Sequence, residues 1–201
     1  RLLADPLDYI GRELCFSGAF EPLSLSLAYR LMSGGGLFVD VGANIGLYTC
    51  TVGSLPGVEC IAVDASAISI VHLLRNMRRN PKLTVRVVNA ALASKRSLVG
   101  LETPELGNLG TTRILLPKGE RRRPAHIVAA LSLDEMLCEL PAGPIKLLKI
   151  DVEGSELEVF SGLDLASIHA PENIIMEYSE QVAWNASDLA KCFEVLCQSG
   201  Y

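Results

Sequence analysis

No apolar run in this sequence approaches the ~18 residues that a membrane-spanning helix needs, and no signal-peptide pattern opens it. The chain is therefore expected neither to span nor to cross a membrane. Positive charge is not in surplus either: the 201 residues carry a net charge of −5, which argues against general nucleic-acid binding. The six cysteines (Cys15, Cys50, Cys60, Cys138, Cys192 and Cys197) include no C-x-x-C pair, and five of them fall in apolar or periodic segments. Reduced, mostly buried thiols are expected, which points to a reducing, cytoplasmic location. A disulfide framework is not required, because a single domain of this length buries ~70% of its unfolded surface.

The informative stretch present is Leu37-Phe-Val-Asp-Val-Gly-Ala-Asn-Ile-Gly-Leu-Tyr-Thr49. An apolar run of strand length, broken by Asp40, meets two glycines bracketing Asn44 and continues into residues that can open a helix. In such a turn, glycines let the backbone approach a ligand, and the helix start offers unpaired N–H groups. Asp40 would repel a pyrophosphate and attract the cation of an amino-acid moiety, favouring S-adenosylmethionine over NAD. Gly42, Asn44 and Gly46 also depart from G-x-G-x-x-G, with no glycine at position 47.

Upstream, residues 1–36 are expected to form a helical segment or lid preceding a cofactor-binding domain over 37–201, one domain overall. Its helix runs from Pro22 to Met32 with Leu23, Leu27 and Leu31 on one face, either packed on the sheet or presenting Glu21 to the cofactor. Downstream, Val58–Val63 is a second strand finishing at Asp64, whose two acceptor oxygens suit the two ribose hydroxyls of an adenosine, in NAD as well as in S-adenosylmethionine. Ser66 caps a helix with Ile70, Val71, Leu74 and Met77 inward and Arg75, Arg78 and Arg79 solvated. Leu83–Val88 is a third strand, after which Asn89 meets either an adenine or its own turn. Ser97–Leu101 and Thr111–Leu116 read as an inserted hairpin around Pro104–Gly110, Lys118–Pro124 as a solvated basic loop, and Ser132-Leu-Asp-Glu135 as a capping box.

A second strand-to-helix stretch, Ile145 to Gly162, places Asp151 and Glu153 at a strand's carboxyl edge. Carboxylates crowded at such an edge need a cation, a metal or a hydrogen-bonded substrate, although Glu153 and Glu156 also suit a helix N-terminus. Asn173–Tyr178 supplies a further strand with Glu177 near its end, and Ser187–Ser199 the following helix.

Phe38 to Thr49 together with Leu148 to Gly162, in this order and about a hundred residues apart, resembles the FkbM-type family of S-adenosylmethionine-dependent methyltransferases. The resemblance implies an α/β fold with a doubly wound, mostly parallel Rossmann-like sheet, and O-methylation of a hydroxyl on a sugar or natural-product acceptor. By position it implies that Asp40, Gly42, Asn44 and Gly46 hold the methionine end and Asp64 the ribose, with Asn89 near the adenine and Ala65 and Ala90 also at the cofactor. Asp151 and Glu153 then stand at the reacting face, one of them as the base. A second arrangement uses these acids and Glu177 as Mg²⁺ ligands; the expectation is that no metal is used. Two departures accompany the resemblance. Asp64-Ala65 replaces the family's usual Glu-Pro, and the family's fold continues past Gly200-Tyr201, which predicts a truncated C-terminal edge open to pairing with another copy. The competing classes are a non-catalytic methyltransferase-like binding domain and a nicotinamide-dependent dehydrogenase.

Overall fold

The computed structural model describes residues 1–102, 112–115, 126–140, 143–177 and 186–201, with backbone alone at 113, 115 and 186–189. The turn expected at Pro104–Gly110, the basic loop Lys118–Pro124 and Tyr178 lie outside the described residues. In chain order the elements are α1 (Tyr9–Ser17), α2 (Pro22–Leu31), β1 (Gly36–Val41), α3 (Leu47–Val52), β2 (Val58–Asp64), α4 (Ala67–Arg79), β3 (Thr84–Asn89), β4 (Ala91–Leu92), β5 (Ser97–Glu102), β6 (Arg113–Leu115), β7 (His126–Leu131), α5 (Leu133–Glu139), β8 (Ile145–Ile150), α6 (Glu156–Phe160), β9 (Ile174–Met176) and α7 (Ala186–Gln198).

Five strands pair in parallel in the order β3-β2-β1-β8-β9. The central strands are apolar almost throughout because helices cover both of their faces. On one face Val39, Ile61, Leu148 and Ile150 pack with Leu133, Val159 and Phe160; on the other, Phe38, Cys60 and Leu147 pack with Ala28, Met32, Tyr48 and Val52. The strand order reverses between β1 and β8, which is where an open α/β sheet forms a crevice at its carboxyl edge. Among the described residues β9 is an edge strand, and no helix is long and apolar enough to cross a membrane.

The expected hairpin exists, with Gly100 opposite Leu115, but it belongs to a second sheet of order β4-β7-β5-β6. The apolar run opening at His126 is the strand β7 that joins the pair, antiparallel to β5 and parallel to β4. Because only Ala90 separates β3 from β4, the chain passes from one sheet to the other within a single residue.

Two helices bury a different face from the one their spacing predicts. In α2 the side packed inward carries Leu25, Ala28 and Leu31, with Met32 just beyond, whereas Leu23 is 86% exposed and Leu27 is 48% exposed. In α4 the buried residues are Ser69, Ile70, Leu73 and Asn76, while Val71 and Leu74 are exposed. The inward face of α4 holds polar residues because they find partners: Asn76 bonds to backbone groups of Leu3 and Ile45. The solvated placement of Arg75, Arg78 and Arg79 holds. The cysteines are free as expected, but only Cys60 and Cys192 are buried, since Cys15, Cys138 and Cys197 fall on the outer faces of their helices.

The reassigned face of α2 has a direct check. Met32→Ala is expected to lower the unfolding free energy by ~2–5 kcal/mol, the range for emptying a core position, and Leu23→Ala to change it by less than ~0.5 kcal/mol. Urea denaturation of the two variants measures both.

Candidate active site

The turn after β1 is made by residues that the fold itself requires. Gly42 has φ 77°, and a Cβ there would lie 1.7 Å from the carbonyl oxygen of Asp151, so β1 and β8 can converge only past a glycine. At Gly46, with φ 88°, a Cβ would lie 2.5 Å from Leu73 Cδ1 of α4. Both glycines thus permit close approach by the protein's own chain. Gly42 and Ala43 donate their N–H groups to the Val63 carbonyl at 2.9 and 3.0 Å.

Asp64 completes this turn. Its Oδ2 accepts from the Asn44 N–H at 2.8 Å and its Oδ1 from the Ser66 N–H at 2.8 Å, so one carboxylate staples the turn to the start of α4. Burial pushes its pKa up to about 6, against the pull of those two donors. Asn89 donates to the carbonyls of Asp64 and Ala65 at 3.0 and 3.2 Å; it supports the β2 end from an exposed position outside the cavity lining.

Beneath the turn lies a polar centre. Asp40 and Lys149 stand opposite each other in the β1–β8 register, on the face covered by α2 and α3. Asp40 is fully buried, accepts from Thr49 Oγ1 at 2.6 Å, and lies 3.9 Å from Lys149 Nζ. Burial raises its pKa, only partly offset by Lys149 and Thr49. The Lys149 ammonium contacts Asp151 Oδ2 at 2.8 Å and sits 4.7 Å from the centre of the Tyr48 ring. Burial disfavours its charge, yet Asp151 and Asp40 outweigh burial and raise its pKa. Burial likewise opposes ionisation of Asp151, but Lys149 beside it and a hydrogen bond with Glu177 hold it below the usual carboxylate range. Glu177 takes up the difference: its hydrogen bond to Asp151, its burial and the charges of Asp151, Glu153 and Glu21 push it up to about 8.

A cavity of about 200 Å³ opens above this centre. Of the expected site residues, Gly42, Asn44, Asp64, Ala65, Ala90, Asp151 and Glu153 line it, while Asp40, Gly46 and Asn89 lie outside the lining. Five carboxyl groups face it, those of Glu21, Asp64, Asp151, Glu153 and Glu177, and among the described residues its lining contains no lysine, arginine or histidine. Oxygens of Asp151, Glu153 and Glu177 lie within 4.8 Å of one another, close enough to share a cation. Glu21, Asn44 and Glu153, at φ 45°, 50° and 53°, are the non-glycine residues with positive φ among the described residues, and all three line the cavity. Backbone strain is concentrated at the site, as functional sites tolerate.

Sequence reading did not single out Lys149, nor the contact of Tyr48 Oη with Glu21 Oε2 at 2.8 Å. A signal for Lys149 existed in the lysine that interrupts the end of Ile145-Lys-Leu-Leu-Lys-Ile150. Tyr9, Ile10 and Phe20 also reach the cavity, from a segment whose first helix carried no recognised signal.

Residues 40–201 match the family described as the methyltransferase FkbM domain. The methyltransferase sdnD of Sordaria araneosa is 26% identical to this chain, over 80% of the chain and 71% of the relative. Among solved structures, the precorrin 8w decarboxylase of Methanobacterium thermoautotrophicum superposes with a TM-score of 0.53 at 15% identity, covering 100% of this chain and 78% of that one. The precorrin-6y C5,15-methyltransferase of Geobacter metallireducens gives a TM-score of 0.50 at 16% identity, covering 89% and 70%. At such identities these two structures speak for the shared fold alone.

The proton on Glu177 has a thermodynamic consequence. Its carboxyl titrates near its ordinary 4.5 in the unfolded chain and near about 8 in the folded one, so between those values the native state holds a proton that the unfolded state has lost. Stability from this group is therefore present below pH ~4.5 and declines as pH rises through ~8. Thermal melts from pH 5 to 8 are expected to show a falling Tm in the wild type and a flatter profile in Glu177→Gln.

Proposed function

The chain belongs to the FkbM methyltransferase family, and from that premise we propose that it transfers the methyl group of S-adenosylmethionine to a hydroxyl on a sugar or natural-product-like acceptor. The observation that carries the cofactor is the acidic character of the cavity: five carboxyl groups, of which Glu177 keeps its proton, and no basic side chain among the described residues of its lining. Such a lining attracts a ligand bearing an ammonium and a sulfonium, and repels the pyrophosphate of a nicotinamide cofactor. Asn44 supplies a second point of fit, because its buried Oδ1 has no hydrogen-bond partner among the described residues while its backbone shapes the turn.

In this reading the Gly42–Gly46 turn and Asn44 hold the amino-acid end, while Asp40 supports the turn from below through Thr49 and Lys149. Asp64 and Ala65 face the ribose, Asp64 through the lone pairs left over from its two backbone contacts. Ala90 contributes to the apolar adenine wall with Leu92 and Leu101, and Asn89 holds the end of β2 in place.

S-adenosylmethionine supplies an already activated methyl group, which leaves alignment and proton removal to the protein. Asp151 and Glu153 are the candidate acids for that removal, and their surroundings divide the work. Lys149 keeps Asp151 ionised and weakly basic, so its part is to set the field and to hold Glu177. Glu153, on a strained backbone at the cavity wall, would take the proton of the acceptor hydroxyl as the methyl group leaves the sulfonium for the hydroxyl oxygen.

Calorimetry is expected to detect S-adenosylmethionine or its demethylated product and no NAD; the reverse result overturns the reading. Asp64→Ala is expected to weaken that binding by ~1.5–3 kcal/mol, the range for hydrogen bonds to a charged group. In an acceptor-driven methylation assay, Glu153→Gln should lower kcat by at least ~10²-fold with cofactor affinity nearly intact, as removal of a general base does. Asp151→Asn should lower both, because it also releases Lys149. Wild-type turnover in both variants would make the acids structural.

A further inference from the structure

Residues 1–21 carry Tyr9, Ile10, Phe20 and Glu21 into the cavity lining, yet little apolar burial holds them there. The helix α1 buries only Ile10 and Gly11, and Leu7 and Phe16 are 79% and 84% exposed. What ties this segment down is polar. Asn76 Oδ1 accepts from the Leu3 N–H at 2.6 Å and Asn76 Nδ2 donates to the Leu3 carbonyl at 3.1 Å. One turn further along α4, Asn80 repeats the arrangement, with its Oδ1 2.7 Å from the Arg1 nitrogen and its Nδ2 2.6 Å from the Arg1 carbonyl. Each carboxamide stands in for a peptide group, and the spacings agree: four residues of helix advance ~6 Å, two residues of extended chain ~6.6 Å.

The two asparagines differ in one respect. Asn76 is fully buried and its Nδ2 also donates to the Ile45 carbonyl at 2.8 Å, within the turn that carries Asn44 and Gly46. Asn80 instead bonds within α4, to the Asn76 carbonyl at 2.8 Å, and contacts Cys50 Sγ at 3.7 Å. A single side chain thus ties together two segments, far apart in sequence, that each send other residues into the cavity lining.

We infer that Asn76 is a positioning residue that clips the segment 1–21 to α4 and couples it to the Asn44–Gly46 turn, so that a ligand seated on the turn tightens the segment over the cavity. Asn80 is a second clip without the coupling. If the turn shifts or stiffens, the Ile45 carbonyl carries that change to the Asn76 carboxamide, and the same carboxamide sets the position of Leu3. This inference rests on the cofactor reading above for the identity of the ligand, but the clip itself does not.

Hydrogen exchange followed by mass spectrometry on the full chain, with S-adenosylhomocysteine as the probe, separates the two asparagines. Without ligand, Asn76→Leu and Asn80→Ala should each speed exchange in residues 1–17 by about tenfold, the size of one net hydrogen bond, leaving β1 and β2 unchanged. With S-adenosylhomocysteine, exchange in residues 1–17 should slow in the wild type and in Asn80→Ala but not in Asn76→Leu, although that variant still binds the probe. A merely structural role would make the two variants alike. Leu3→Pro removes the segment's own N–H without touching the core; it should loosen the segment and weaken the coupling, which keeps the test intact if Asn76→Leu fails to fold. Unchanged exchange in the ligand-free variants overturns the clip, and equal ligand protection in Asn76→Leu and wild type overturns the coupling. A wild-type protein that binds no S-adenosylhomocysteine refutes the cofactor reading and the coupling with it, while the ligand-free comparison still decides the clip.

Discussion

The ammonium of Lys149 lies almost wholly out of water, 2.8 Å from Asp151 and 3.9 Å from Asp40, with the Tyr48 ring beside it. An isolated charge in that position would be strongly unfavourable, and stripping one partner from a buried pair typically costs ~3–5 kcal/mol. The arrangement is therefore tolerable only when β1, β8 and α3 are all in place, which ties the site to the assembled sheet. It also orders the protons around it. By holding Asp151 ionised, Lys149 makes Asp151 an acceptor for Glu177, and the shared hydrogen bond keeps Glu177 protonated at neutral pH. One buried cation thus sets which carboxyl groups facing the cavity bear charge.

The turn after β1 illustrates how structural and binding duties coincide. Gly42 is glycine because the Asp151 carbonyl passes close to it, and Gly46 because Leu73 does. Those same constraints aim the turn at the cavity, with Asp64 holding the Asn44 N–H from the neighbouring strand. A ligand at this edge meets a surface that strand convergence has already shaped. The strained backbones of Glu21, Asn44 and Glu153 are held there by their surroundings, and all belong to the cavity wall.

The second sheet and the N-terminal segment complete that wall in different ways. The sheet of β4, β7, β5 and β6 brings Leu92, Leu101 and Ile114 by strand pairing, so its contribution is rigid to the extent that its ladder is. The segment before β1 brings aromatic and acidic groups with little core beneath them, and its hold depends on carboxamides of α4. These two parts of the cavity wall are consequently stabilised by different physical means.

Local signals in the sequence sufficed for the parallel sheet. Continuous apolar runs with acids or glycines at their ends mark β1, β2 and β8, and Ser66 and Ser132 cap the helices that their spacing predicts. The residues gathered at the carboxyl edge were legible for the same reason: in a doubly wound sheet, strand ends share one side, so Asp64, Asp151 and Glu153 converge without further information. Which face a helix buries was not legible, because Asn76 lies inward by virtue of partners on distant segments, and hydropathy alone assigns polar residues outward. Nor was the role of Asp40. Only the β1–β8 register sets it opposite Lys149 and below the cavity, and register is decided by pairing between strands more than a hundred residues apart. The sequence by itself determined the strands, the turn and the sign of the charge at the site; tertiary structure decided which acids face the cavity, which are neutralised beneath it and which one keeps its proton, because burial and distance between side chains exist only once the chain has folded.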